Sequence, residues 1–252
     1  MWIVLCHPGD DAAVWAFGRF QAFGLEPLRL VSPEMLVYAA RSRHWVGTQG
    51  VGFVVTLPDG TELNSRDLRG VLNRTAFVPS EHLQRAVEAD RQYAQQEWCA
   101  LYLSWLTAIH GRVVNAAHPL GPGGAAREPL EWALLAGLAG LETPRLRRSS
   151  FDAPLGAPEG SFPLAPGGEW RHVLVFAGQV FGSLLPAGVR DACLRLATMA
   201  GVSLLGVNLS RGPAGQWTFR SADLLPDLRV GGQRFAEALA RFMDATPGGE
   251  GA

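Results

Sequence analysis

From His172 to Met243 the chain runs twice through one order, a β-hairpin followed by a helix, and few folds accept that order. The apolar runs His172 to Phe176 and Gln179 to Leu185 flank Ala177-Gly178, and Val189 to Ala200 then reads as a helix stopped by Gly201. The second hairpin has an apolar strand ending at Asn208, a turn around Pro213, Ala214 and Gly215, and a returning strand from Gln216 to Ala222. Gly232 to Met243 closes the series as an amphipathic helix. Strands joined by a glycine-containing turn predict hairpins. Hairpins alternating with helices predict an antiparallel sheet with helices packed on it.

The first part of the chain has a different rhythm. Trp2 to Cys6 reads as a buried strand, Ala12 to Phe23 as a helix with Asp11 at its N-cap and Gly24 at its end, and Leu28 to Val31 as a second strand. That β-α-β order predicts a parallel sheet. A hairpin over Val51 to Leu63 turns at Pro58-Asp59-Gly60, and Gly70 to Arg74 supplies one more strand. Ser80 opens the longest predicted helix, which Gly111 closes, and Trp98, Leu101, Tyr102, Trp105, Leu106 and Ile109 recur along it at helical spacing. Such a stripe is usually core. Arg112 to Asn115 leaves as a strand, His118 to Gly124 is a glycine-rich loop without the Lys-Ser/Thr of a P-loop, and Pro129 to Ala139 forms a short helix.

The fold expectation is therefore α/β, an N-terminal parallel-sheet domain followed by a C-terminal α+β half. The expected divisions are a first domain over 1–79, a central helical segment over 80–148, a Pro/Gly linker over 149–169, the C-terminal half over 170–245 and a disordered tail over 246–252.

Composition narrows the chemistry. All 22 basic side chains are arginine, so a Schiff base, a lysine general base and a lysine clamp on phosphate are excluded. The formal net charge is -1, with the charges dispersed, and only Arg145, Arg147 and Arg148 cluster; neither nucleic acid nor a membrane is the expected partner. Cys6, Cys99 and Cys193 lie far apart in apolar segments and read as buried free thiols of a reducing compartment, so a cytoplasmic protein is expected. Cys6-His7 with Asp10 and Asp11 marks a strand-to-helix junction, a common ligand position in open sheets. Neighbours on a strand diverge, which favours a buried Cys6 and a surface His7 over a catalytic pair.

The order of elements resembles the ATP-grasp superfamily, in particular the peptide-modifying carboxylate-amine ligases of the microviridin and graspetide type. Met1 to Arg74, including Val71-Leu72-Asn73-Arg74, is similar to the family's pre-ATP-grasp domain. Val113-Val114-Asn115 and then Ala136-Gly-Leu-Ala-Gly-Leu-Glu-Thr-Pro144 are similar to its helix-to-proline passage. The two hairpin-helix units resemble the C-terminal half of the grasp. In that family the second hairpin carries an Asp ending its first strand and a Glu-x-Asn pair in its second, which hold magnesium on ATP. Here those positions read Asn208, Ser221 and Asp223. The lid domain that follows the family's proline has no counterpart in the short Pro/Gly stretch of 149–169.

The resemblance thus implies a degenerate, lid-less, lysine-free pseudoenzyme: a non-catalytic peptide-binding or accessory protein of peptide modification. Its partner would be a peptide, an active ATP-grasp ligase or a second copy of itself, and no cofactor is expected. The alternative is a minimal ATP-dependent carboxylate-amine ligase with ATP and Mg, in which Arg127 and Arg171 serve the phosphates and Asp223 the metal. Arg74, Asn115, His118, Arg127 and Arg171 are the candidate ligand-cleft residues, and chemistry near His7, Arg74 and His118 is a third option. Asp223 is open to a second reading, a carboxylate capping the turn before Leu224-Leu225-Pro226.

Overall fold

The computed structural model describes residues 1–48, 50–85, 87–109, 112–144, 169–212 and 214–245. The predicted tail, nearly all of the predicted linker, and the Arg145, Arg147 and Arg148 cluster lie outside them. The chain divides into two units, one formed by Met1–Ala126 with Gln233–Ala252 and the other by Arg127–Gly232.

In the first unit, β1 (Trp2–Cys6), β2 (Leu28–Val31), β6 (Gly70–Arg74) and β7 (Arg112–Val114) form an all-parallel sheet in the order β2-β1-β6-β7. All five residues of β1 and all five of β6 are buried, as expected of strands covered on both faces. The intervening helix α1 (Asp11–Ala22) is capped by Asp10, whose carboxylate accepts from the Ala13 amide at 2.9 Å. The cap is thus one residue earlier than the predicted Asp11, because the chain turns at Gly9, whose φ is +86°.

Two elements escape sequence reading. A five-residue helix α2 (Pro33–Val37) follows Ser32, and β3 (Arg41–Gly47) pairs with β4 (Gly50–Thr56), which pairs with β5 (Glu62–Asn64) in an antiparallel sheet. β3 carries Arg41, Ser42, Arg43 and His44, so its hydrophilic run hides a strand signal. The long helix is interrupted: a 3-10 turn spans Glu81–Arg85, and α3 (Glu88–Thr107) starts after Val87, whose φ of -57° and ψ of 135° are extended. Tyr102, Trp105, Leu106 and Ile109 are buried in the core, where the Tyr102 hydroxyl donates to the Pro33 carbonyl at 2.5 Å. Leu101, by contrast, is exposed. Four of the six stripe residues are thus core, with Trp98 partly buried against them, and each such side chain contributes on the order of 1.5–3 kcal/mol when fully buried.

Contacts group the last helix, α6 (Gly232–Asp244), with this first unit, whereas the order of elements had placed it in the segment 170–245. Phe235, Leu239 and Met243 are fully buried, and the Met243 carbonyl accepts from the Trp2 indole at 3.1 Å. A Cβ on Gly70 would stand 2.7 Å from that carbonyl, so glycine lets the helix end approach β6. Amphipathicity shows that α6 has a buried face but does not say which sheet receives it.

The second unit is an antiparallel sheet in the order β11-β10-β8-β9, from β8 (Trp170–Phe176), β9 (Gln179–Gly182), β10 (Leu204–Arg211) and β11 (Trp217–Asp223). The helices α4 (Pro129–Leu138) and α5 (Ala187–Ala200) pack on it through Trp132, Ala136, Cys193 and Leu196, against Val173, Val207 and Phe219. Gly201 ends α5 with φ +67°, the left-handed cap that glycine accepts without steric cost. β10 runs three residues past the predicted end at Asn208, and its register with β11 shifts between Asn208 and Leu209. This is the signature of a β-bulge.

Candidate functional site

Two places hold the residues singled out above, one in each unit. In the first, β6 and β7 deliver Arg74 and Asn115 to the carboxyl edge of the parallel sheet, the edge where open α/β sheets bind ligands. Arg74 is 5% exposed and grips Asp10 in bidentate fashion, Nε to Oδ2 at 2.7 Å and Nη2 to Oδ1 at 3.2 Å. Asp10 therefore caps α1 and neutralises Arg74 together. Asn115 is buried in a left-handed conformation, φ 57°, which asparagine tolerates. The Asn73 amide donates to the carbonyls of Asn115 and Pro122, at 2.9 and 2.7 Å, and so pins the glycine-rich loop to the sheet. Asn73 stands in the Val71-Leu72-Asn73-Arg74 strand but not among the predicted cleft residues, because its role depends on which carbonyls meet at the strand ends.

His118 folds back on its own loop, its Nδ1 accepting from the Leu120 amide at 3.1 Å. His7 stacks on Phe77 with ring centroids 4.0 Å apart, and its Nδ1 lies 3.6 Å from Glu34. Cys6 is buried, and its thiol is pushed up to about 11, by burial first and then by Asp10. Burial likewise raises Cys193 to about 12. A thiol at about 11 is no nucleophile at neutral pH. Of the three cysteines only Cys99 is partly exposed. A maleimide at pH 8 is therefore expected to label one thiol rapidly in the native protein and all three in guanidinium; rapid labelling of Cys6 would contradict this placement. Both buried thiols must stay protonated in the fold, so their contribution to stability is complete below pH 9 and falls as pH rises toward 11. A melting temperature that drops between pH 9 and 11 is the expected reading.

In the second unit, Arg127 donates to the Ala200 carbonyl at 3.0 Å, at the end of α5, and its guanidinium lies over Trp132. Arg171 is the second residue of β8, pairs with Glu169 and lies over Trp217. Each of these arginines holds a structural partner of its own.

Asn208 and Ser221 are direct partners across the hairpin, and Asp223 stands opposite Gly206. Asn208 also faces His172 on β8. Its amide oxygen is hydrogen-bonded to His172 Nδ1, and its amide nitrogen donates to Ser221 Oγ at 2.8 Å. His172 was absent from the predicted set, since only the pairing register places it across from Asn208. These residues border a cavity of about 210 Å³ that His172, Gly206, Asn208, Asp223, Asp227 and Val230 help to line. Asp223 Oδ1 accepts from the Leu225 amide at 2.8 Å, closing the turn before Pro226. Asp227 is clasped by Arg229 at 2.8 Å.

Magnesium is held through hard oxygens, usually one or two carboxylates that remain available to it. Here an amide and a hydroxyl stand at the two central positions and satisfy each other, and both carboxylates at the rim already serve the backbone or an arginine. Among the described residues no group of three or more His, Cys, Asp or Glu is placed to hold a metal ion. The three positions thus offer one carboxylate, that of Asp223, beside an amide and a hydroxyl.

No family profile matches the sequence, and no curated protein does. Solved structures match over nearly the full chain. A macrocyclase, MdnC from Microcystis aeruginosa MRC bound with its precursor peptide MdnA, superposes with a TM-score of 0.72 at 12% identity, covering 96% of this chain and 98% of that one. The ATP-grasp ligase PsnB, complexed with a phosphomimetic variant of a minimal precursor, Mg and ADP, gives 0.69 at 17% identity, covering 97% of each. A RiPP-associated ATP-grasp ligase of Chryseobacterium gregarium, with ADP and a leader and core peptide, gives 0.69 at 10%, covering 98% and 97%. The mixed parallel and antiparallel architecture of this chain is the ATP-grasp fold.

Proposed function

We propose that the chain is a non-catalytic protein of ATP-grasp fold that binds a peptide, as an accessory subunit in peptide modification. The closed hydrogen-bonded set of His172, Asn208 and Ser221 carries this reading, because it stands where the resemblance expects magnesium carboxylates. The absence of lysine from the sequence points the same way, since a phosphate clamp would have to be built from arginine. Solved neighbours bound to precursor or to leader and core peptides support a peptide as the partner here. An active ATP-grasp ligase is the protein partner such an accessory role requires.

Calorimetric titration with ATP and Mg is the direct test. The expected result is no binding heat for the full chain at micromolar nucleotide. Tight, magnesium-dependent binding, together with phosphate release when a carboxylate peptide is added, would instead establish the minimal ligase.

A further inference from the structure

β3 is the end strand of its sheet: one edge pairs with β4 along seven residues, and the other pairs with no strand among the described residues. Long, flat edges of this kind add further strands readily, and most proteins blunt them with a bulge, a proline or charge. β3 has no proline, its register with β4 is unbroken, and its charge is all of one sign. The cross-strand partners separate its two faces. Ser42, His44 and Val46 stand opposite the apolar Val55, Phe53 and Val51, whereas Arg41, Arg43 and Trp45 stand opposite Thr56, Val54 and Gly52 on the other face.

Arg41 and Arg43 are exposed, and neither lies within ion-pair distance of a carboxylate among the described residues. On that face the nearest acidic position in the register is Glu62, across Thr56 on β5. Trp45 is held flat over Gly52, where a Cβ would stand 2.4 Å from the indole. On the inward face Val46 is 69% exposed, and His44 Nε2 is buried without a hydrogen-bond partner. A strand added beside β3 would cover Val46, pair the backbone edge and set every second side chain beside the two arginines.

We infer that the outer edge of β3 is a β-augmentation site for an extended acidic peptide, with carboxylates two residues apart facing Arg41 and Arg43 and apolar residues between them. Main-chain pairing supplies affinity in this mode, and the alternating side chains supply selection. The inference deepens the peptide-binding reading above and rests on it. A second copy of the chain is the competing occupant. It is disfavoured because a two-fold pairing brings both pairs of arginines to one face with no carboxylate between them.

The test uses the full chain and a fluorescein-labelled peptide of alternating aspartate and valine, read by anisotropy. Controls are the same peptide with lysine for aspartate, and two versions N-methylated at alternate residues. Expected are saturable binding of the acidic peptide, weakening by roughly tenfold or more with lysine or with one of the methylation sets, and slowed amide exchange in β3. Arg41→Glu with Arg43→Glu, both at exposed positions, is expected to keep the wild-type melting temperature and to reverse the preference toward the lysine peptide. Binding unchanged by this variant, with protection elsewhere, overturns the β3 site and leaves the peptide-binding reading standing. Failure of every peptide to bind, or β3 protection that instead tracks dimerisation, also overturns the site.

Discussion

Arg74→Ala is expected to lower the stability of the protein by about 3–5 kcal/mol, the range for breaking a buried ion pair by removing one partner. The guanidinium is almost fully enclosed, and it makes two bonds to the Asp10 carboxylate. The remaining carboxylate still caps α1 and is 18% exposed, which places the loss toward the lower end. Asp10→Asn is expected to cost a similar amount, because it keeps an oxygen for the Ala13 amide but removes the negative charge of the bidentate pair with Arg74. Urea unfolding of the two single variants and the double variant measures the coupling. A coupling below about 0.5 kcal/mol would show that the pair is not the structural element described, and would return Arg74 to the ligand-cleft residues.

The second large effect concerns the hairpin of the second unit. Asn208→Asp with Ser221→Glu is expected to destabilise the metal-free protein by about 1–3 kcal/mol, since a carboxylate at 208 has no proton to donate and faces two further acidic groups. The same change supplies carboxylate oxygens beside Asp223. Added Mg should then recover stability by about 2.7 kcal/mol at a hundredfold excess over its Kd, while the unmodified chain responds to Mg little if at all. Thermal melts with and without Mg read this without any assay of activity. A wild-type protein whose melting temperature climbs with Mg as steeply as the variant's would show that the existing donors already hold the ion, and would remove the main support for a non-nucleotide role.

Both experiments bear on residues that sequence reading found without finding their partners. Asn208, Ser221 and Asp223 are legible in one hairpin, in whose register Asn208 opposes Ser221 and Asp223 opposes Gly206. His172 was passed over because it lies 36 residues away and joins Asn208 only through the pairing of β8 with β10. Arg74 was recognised at the end of a strand, but its engagement with Asp10 needed the parallel pairing of β1 with β6. β3 was missed for a different reason. An edge strand buries little, so its residues need not alternate between apolar and polar, and the signal for a strand fades with its burial.

Period and punctuation in the sequence determined what is local. The β-α-β start of the first unit, the glycine that ends α5, the buried residues of α3 and the two hairpins of the second unit all follow from apolar spacing and turn chemistry within a few residues. Tertiary structure alone decided what depends on distant parts of the chain. It set α6 against the N-terminal sheet, joined His172 to Asn208, closed Arg74 on Asp10 and, among the described residues, left one edge of β3 unpaired. Side-chain periodicity states that a face is buried and how wide it is; the partner that buries it is chosen by the packing of the whole chain, which no local window contains.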